Sequence, residues 1–367
     1  MRRKKMMAIR WCPLLFCFML FRFEYCIAQS APAVYVFGDS LVDVGNNNHL
    51  PISIAKSDFP HNGIDFPTKK ATGRFSNGKN AADFLAVKLG IPTSPPYLSL
   101  KSKFKKVNAS AFVSGVSFAS GGAGIFNGTD NVLSQSLPLT KQVEYYSLVY
   151  QEIVKQLGAA AAQTHLSKSV FAVVIGSNDV FGYHDSNSKA RKASSPQQYS
   201  QQMVTLLQTH INRIHSLGAR KFVITGIGPV GCCPSERNKN KDACNEDANS
   251  LAQMYNEAVK SMLQNLSSTL QPFYYSYFDT YKVLNSFIQN PADHGFKEVR
   301  AACCGLGNLN ADLPCLPIAT YCPNRKDHVF WDLYHPTEAA ASLFVDYIYD
   351  GPQTYTFPIN VKQLVAI

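Results

Sequence analysis

The stretch Ala33-Val-Tyr-Val-Phe37, followed at once by Gly38-Asp39-Ser40, sets the terms on which the rest of the chain is read. Five apolar residues, mostly β-branched or aromatic and ended by a glycine, predict a short buried strand running into a sharp turn. Working outward, residues 170–175 (VFAVVI) form a continuous apolar run, of the kind buried on both faces of a sheet. Residues 220–225 and 273–278 read as further strands, and residues 111–119 as a strand running into glycines. Helical patterns separate them. Residues 80–89 have helical spacing, with Asn77 or Ser76 as N-cap and Gly90 as stop. Residues 196–217 form a long amphipathic helix capped by Ser195, with Gly218 beyond its end. Residues 245–270 form another, and residues 336–349 a final one opened by Pro336. Strands spaced by helices of this size imply right-handed crossovers and a parallel sheet covered on both faces. Such sheets carry their chemistry at the carboxyl ends of the strands.

Residues able to do chemistry fall at those ends. Ser40 follows the first strand, where a tight turn exposes a hydroxyl that needs a neighbouring base to act as a nucleophile. Asp332 and His335 stand at the far end of the chain in Trp331-Asp-Leu-Tyr-His-Pro336. Three-residue spacing on a tight loop can bring the carboxylate to one ring nitrogen and leave the other facing the serine. Asn178, in Gly176-Ser-Asn-Asp179, follows the run 170–175, and an amide there is a good oxyanion donor. Gly121 and Gly122 follow residues 111–119, where a backbone without a side chain can approach a ligand. No Gly-x-Ser-x-Gly elbow occurs, which disfavours the usual α/β-hydrolase, and no Lys-Ser/Thr follows the glycines, which disfavours a phosphate-binding loop.

The 367 residues, 46% hydrophobic, suffice for one large α/β domain. Residues 1–28 are read as a signal peptide and residues 29–367 as a single domain. The leader has a basic start (Arg2, Arg3, Lys4, Lys5, Arg10), an apolar stretch over 11–23, and small residues Cys26 and Ala28 before a cut. That stretch is shorter than the roughly 20 residues of a membrane span. The leader carries six Lys/Arg and one acidic residue, so its removal lowers the formal charge from +10 to +5. No basic stripe interleaved with aromatics follows, so no nucleic-acid partner is expected. The short basic run 101–106 (KSKFKK) reads as a solvated loop or as a contact for an anionic wall polymer. Seven cysteines remain after the leader, all in the C-terminal third and in Pro/Gly/Asn-rich stretches, the pattern of loop-stapling disulfides in a secreted chain. Adjacent Cys-Cys pairs without a nearby His argue against zinc, and no metal or organic cofactor is implied. The odd number leaves one thiol free. Asn108, Asn127 and Asn265 head glycosylation sequons, which fit passage through the secretory route.

Four blocks taken in order make the pattern specific. Phe37-Gly-Asp-Ser40, Phe118-Ala-Ser-Gly-Gly-Ala-Gly-Ile125, Gly176-Ser-Asn-Asp179 and Trp331-Asp-Leu-Tyr-His335 resemble the sequence blocks of the GDSL esterase/lipase family, also called SGNH hydrolases. Thr72-Gly-Arg-Phe-Ser-Asn-Gly78, Gly228-Pro-Val-Gly-Cys232 and Cys303-Cys-Gly305 resemble markers of its plant secreted branch. The resemblance implies a three-layer α/β/α sandwich with a five-stranded parallel sheet, close to flavodoxin in plan. It implies Ser40 as nucleophile, His335 as general base and Asp332 as the group that orients it. The oxyanion hole would be the Ser40 N–H, a glycine of the second block and Asn178; that glycine is placed at Gly121, with Gly122 the near alternative. Two positions depart from the pattern. Ser117 stands where plant members often carry Asn, which puts the support of that loop in question, and Cys233, an unusual second cysteine, is the candidate for the odd thiol.

The expected activity is hydrolysis of carboxylic esters, lipid or acylated wall or phenolic esters, outside the cell. An acyltransferase passing the same acyl group to a hydroxyl acceptor, and a non-catalytic wall-binding or defence protein, are the alternatives. Acyl length, any lid formed by a loop such as residues 184–195, and the oligomeric state are not legible.

Overall fold

The computed structural model describes residues 31–101, 110–129 and 135–367. The signal-peptide reading, the sequon at Asn108 and the basic run beyond Lys101 lie outside the described residues. The central sheet contains β1 (Val34–Gly38), β2 (Gly115–Ser117), β3 (Val170–Val174), β4 (Lys221–Thr225) and β5 (Tyr274–Phe278), these five parallel to one another. The helices on its faces are α1 (Ala81–Leu89), α2 (Leu139–Leu157), α3 (Ala159–Lys168), α4 (Ser177–His184), α5 (Pro196–Ser216), α6 (Glu246–Thr269) and α7 (Thr280–Gln289). A smaller parallel pair, β6 (Glu298–Ala302) and β7 (His328–Phe330), leads into α8 (Glu338–Asp350), β8 (Thr356–Pro358) and α9 (Val361–Ala366). The sheet order is β8-β5-β4-β3-β1-β2. The five-stranded parallel sheet therefore gains a sixth strand, β8, which runs antiparallel along β5 at the edge. Its three residues, one of them Pro358, are too short and too turn-like to show as a strand in the sequence.

In β1, β3 and β4 the aromatic side chains all point to one face of the sheet. Tyr35, Phe37, Phe171, Val173, Phe222 and Ile224 point to the face covered by α2, α3, α5 and α6. Val34, Val36, Val170, Ala172 and Val223 point to the face covered by α1, α7, α8 and α9. On the first face the rings pack on one another: Tyr35 on Phe171 at 5.1 Å between centroids, and Phe37 on Phe118 at 5.1 Å. A continuous apolar strand thus carries a bulky face and a lean face, and the helices approach the lean one over smaller side chains.

Three expectations about element ends need correction. Residues 111–119 are not one strand: a helical turn, Ser110–Val113, precedes β2. Gly115 divides them, with φ +102° and with space for a Cβ only 2.4 Å from the Val34 carbonyl oxygen, so the chain can switch conformation there and close onto β1. The cap of α1 is Asn80, not Asn77 or Ser76. Its side chain accepts the N–H groups of Ala82 and Asp83, and the Asp83 carboxylate accepts the Asn80 N–H in return. Pro336 does not open α8. Thr337 caps it, and Pro336 lies before it in a bridge with Phe330.

Seven described cysteines give three disulfides, Cys232–Cys244, Cys303–Cys322 and Cys304–Cys315, and leave Cys233 as a buried free thiol. Burial pushes that thiol up to about 12, so it stays protonated. Among the described residues no helix is long and apolar enough to cross a membrane.

The loop before α1 is fixed by a buried fork: Arg74 Nε and Nη2 donate to the two Asp83 oxygens at 2.6 and 2.8 Å. Arg74→Met removes one partner of a buried pair and should lower unfolding free energy by about 3 kcal/mol in urea titration. Adding Asp83→Asn should recover part of that loss; no loss in the single variant would contradict the assignment.

Candidate active site

The site is built from the first strand outward. Gly38 ends β1 where the Val174 carbonyl of β3 approaches so closely that a Cβ would lie 2.3 Å from its oxygen. Any larger residue would push the turn away from the sheet. Gln142 of α2 holds Gly38 from the other side: its Oε1 accepts the Gly38 N–H and its Nε2 donates to the Gly38 carbonyl, both at 2.8 Å. The Asp39 N–H donates to Val174 at 3.1 Å. The Ser40 side chain is thereby projected beyond the carboxyl edge of the sheet, with its backbone N–H facing no acceptor among the described residues.

From the opposite end of the chain, β7 delivers the other groups. The Cys303 and Cys304 N–H groups donate to the carbonyls of Phe330 and Trp331 at 3.0 and 2.7 Å, and the Trp331 indole donates to Asn62 at 2.9 Å. The loop closes on itself, the Trp331 N–H donating to the His335 carbonyl at 2.7 Å. Asp332 Oδ1 accepts the N–H groups of Tyr334 and His335 at 3.0 and 2.9 Å, and both its oxygens face His335 Nδ1, at 2.7 and 2.9 Å. His335 Nε2 lies 2.7 Å from Ser40 Oγ. Burial alone would push the Asp332 carboxyl up, but the imidazole it faces and the hydrogen bonds it accepts outweigh that and hold it below its ordinary value. Phe75, in the block 72–78, lies against the His335 ring at 5.0 Å between centroids.

The glycine loop differs in one residue from the expectation. The Gly121 N–H is already given to Asp43 Oδ2 at 3.0 Å, so it does not point into the site. Gly122, with φ +81°, lines the cleft and has no acceptor for its N–H among the described residues. Asn178, in the first turn of α4, also lines the cleft; its amide gives one hydrogen to the Ala123 carbonyl at 2.9 Å, which orients the group and leaves the second hydrogen. The Ser117 side chain gives this loop no support, its hydroxyl being buried without a partner among the described residues. Asn46 carries the support, its amide donating to the Ser117 and Ala119 carbonyls at 2.9 and 2.8 Å.

Sequence reasoning missed this supporting layer. Asp43 accepts the N–H groups of Gly45, Asn46 and Gly121, and Asn47 donates to the Gly121 carbonyl. Asp179 accepts the N–H groups of Ile125 and Phe126 and the Thr129 hydroxyl. Burial pushes both carboxyls up, to about 6. The run Asp43-Val-Gly-Asn-Asn-Asn48 after a candidate nucleophile was the available signal, since such residues commonly bind backbone.

A parallel sheet carrying a hydroxyl, an imidazole and a carboxylate in hydrogen-bonded series at its carboxyl edge is the layout of a serine hydrolase. Comparison with known proteins gives the family. Residues 34–348 match the family described as GDSL-like Lipase/Acylhydrolase. The chain is 55% identical over 342 residues to GDSL esterase/lipase At5g55050 of Arabidopsis thaliana, covering 92% of this chain and 90% of that one. It is 35% identical to GDSL esterase/lipase At4g16230 of the same plant, with 97% of each covered. A solved structure of a catalytic mutant of Axe2, an acetylxylan esterase from Geobacillus stearothermophilus, aligns at 13% identity and a TM-score of 0.36, over 86% of this chain and 90% of that one. The chain belongs to the GDSL lipase/acylhydrolase family, and it is a carboxylic ester hydrolase.

One carboxyl beside the nucleophile has a testable signature. Asp39 is buried; its Oδ1 accepts the Leu41 N–H, while its Oδ2 has no partner among the described residues. Burial pushes it up to about 7. The folded protein then holds this proton more tightly than the unfolded chain, whose Asp titrates near 4. The contribution to stability is fully present below about pH 4 and is lost as pH rises through about 7. The stability of the wild type relative to Asp39→Asn should therefore fall between those pH values, read from paired thermal melts. A constant difference would place the Asp39 proton elsewhere.

Proposed function

We propose that the protein is a secreted esterase or lipase that cleaves carboxylic esters through an acyl-enzyme on Ser40. The observation that carries the reading is the 2.7 Å contact between Ser40 Oγ and His335 Nε2, with Asp332 on the far ring nitrogen. His335 takes the Ser40 proton as the hydroxyl attacks the ester carbonyl, and returns it to the departing alcohol. Asp332 holds the ring in the tautomer that leaves Nε2 free to accept, and stabilises the imidazolium that forms. The developing oxyanion is received by the Ser40 and Gly122 N–H groups and the remaining Asn178 amide hydrogen. Water then repeats the sequence to release the acid.

The mature protein is one domain beginning at residue 29, released outside the cell, in the wall space of a plant tissue. Three disulfides support that reading, because such bridges persist in oxidising compartments. Asn127 and Asn265 are both exposed and are proposed to carry glycans, as is Asn108. The substrate is a lipid ester or an acylated wall or phenolic ester.

Ser40→Ala should abolish ester turnover and labelling by a fluorophosphonate probe, with an unchanged melting temperature. Asn178→Ala should lower kcat by about 10²–10³, the usual effect of removing one oxyanion donor. Full turnover in the Ser40→Ala protein would rule the mechanism out.

A further inference from the structure

Phe75 belongs to the block 72–78, to which the chemistry above assigns no task. Its half-buried ring lines the cleft. On one side it lies against the His335 ring, at 5.0 Å between centroids and 36° between planes. On another it sits on the glycine loop: a Cβ added to Gly121 would fall 2.4 Å from Phe75 Cζ and 2.6 Å from Cε2. One ring therefore touches both the base and the loop that presents Gly122. Its backbone is tied on both flanks. Before it, Arg74 is forked onto Asp83 of α1. After it, the Ser76 carbonyl accepts the Gly63 N–H at 2.9 Å, and Asn77 Oδ1 accepts the Glu338 N–H at 2.8 Å, at the start of α8 just beyond His335.

We propose that Phe75 is a positioning residue that spaces the His335 imidazole from the oxyanion loop and holds both in register with Ser40. This task presupposes those proposed for Ser40, His335 and Gly122. Hydrogen bonds hold the imidazole at its two nitrogens, through Asp332 at Nδ1 and Ser40 at Nε2. They leave its tilt about the line between them unopposed. Phe75 lies against the ring itself, whereas the other ring beside it, Tyr334, is 6.2 Å away. As Ser40 Oγ bonds to the acyl carbon, its contact with Nε2 loosens, and the imidazolium then depends on Asp332 and Phe75 for its place. On the other side, Gly121 gives its N–H to Asp43 and its carbonyl receives Asn47. Phe75 closes a third side, so the neighbouring Gly122 N–H keeps one direction. Position 121 thus needs glycine for room beside this ring, although its own N–H does not face the site.

The experiment measures kcat and KM for p-nitrophenyl acetate, per folded molecule, in the wild type, Phe75→Leu, Gly121→Ala and the double variant. Leucine lacks Cε2 and Cζ, the two atoms that an alanine methyl at 121 would strike; Asn47 Nδ2, at 2.9 Å, is the next nearest. Phe75→Leu should lower kcat about 10- to 100-fold with KM unchanged, the scale on which small misplacements of reacting groups act. Gly121→Ala should lower kcat at least as far, by driving the same ring from its seat. The double variant should be no slower than Gly121→Ala alone, because the collision is gone. A wild-type kcat in Phe75→Leu, a loss seen only in KM, or a double variant slower than Gly121→Ala each overturns the positioning role. Phe75→Met takes the place of Phe75→Leu if the latter does not fold. In all of these cases turnover abolished by Ser40→Ala leaves the catalytic reading standing; turnover that survives Ser40→Ala removes that reading and the task of Phe75 with it.

Discussion

The two hydrogen bonds from Gln142 to the backbone of Gly38 are the constraint on which the site depends. They sit where β1 leaves the sheet, and they occupy both polar groups of a residue that no longer pairs fully with a neighbouring strand. A buried peptide group without such partners costs about 1–3 kcal/mol. With them, the turn has one conformation, and the hydroxyl two residues later has one address. Everything else at the site is positioned relative to that address: the glycine loop through Asp43, Asn46 and Asn47, and the imidazole through the loop after β7.

The same turn explains why groups 295 residues apart can meet. β1 lies between β2 and β3, inside the sheet rather than at its edge, so its carboxyl end faces the middle of the upper rim. β7 is not part of that sheet. It pairs with β6, and its end is carried to the rim by the disulfide-bonded segment and by α8 behind it. Sheet and lobe meet at Trp331, fully buried, whose indole reaches Asn62.

What could be read in the sequence was read from local pattern. The apolar runs at 33–37 and 170–175 gave buried strands because both faces are covered, and Ser195 and Gly218 framed α5 because caps are a local affair. Ser40 stood out because it follows a strand-like run, Asp332 and His335 because of their three-residue spacing and the family block they sit in, and the structure brings all three together. The rest depended on distance. That Gly121 is already committed to Asp43, leaving Gly122 toward the cleft, follows from a contact across 78 positions. The helix α2 was overlooked although Leu139, Val143, Tyr146, Val149 and Ile153 keep helical spacing, and nothing local marks Gln142 as the residue that reaches Gly38. The strand β8 was overlooked because three residues show no period.

The disulfides have a bearing on the chemistry that their position in the fold makes concrete. Cys303 and Cys304 are bonded by their backbones to Phe330 and Trp331, and by their sulfurs to Cys322 and Cys315. The segment that holds the imidazole thus leans on a small lobe whose own core is little more than those sulfurs and one indole. A lobe of that size has too little apolar interior to stand without its crosslinks. Opening Cys303–Cys322 and Cys304–Cys315 would therefore loosen the seat of the imidazole while the hydroxyl, held by the sheet and Gln142, kept its place.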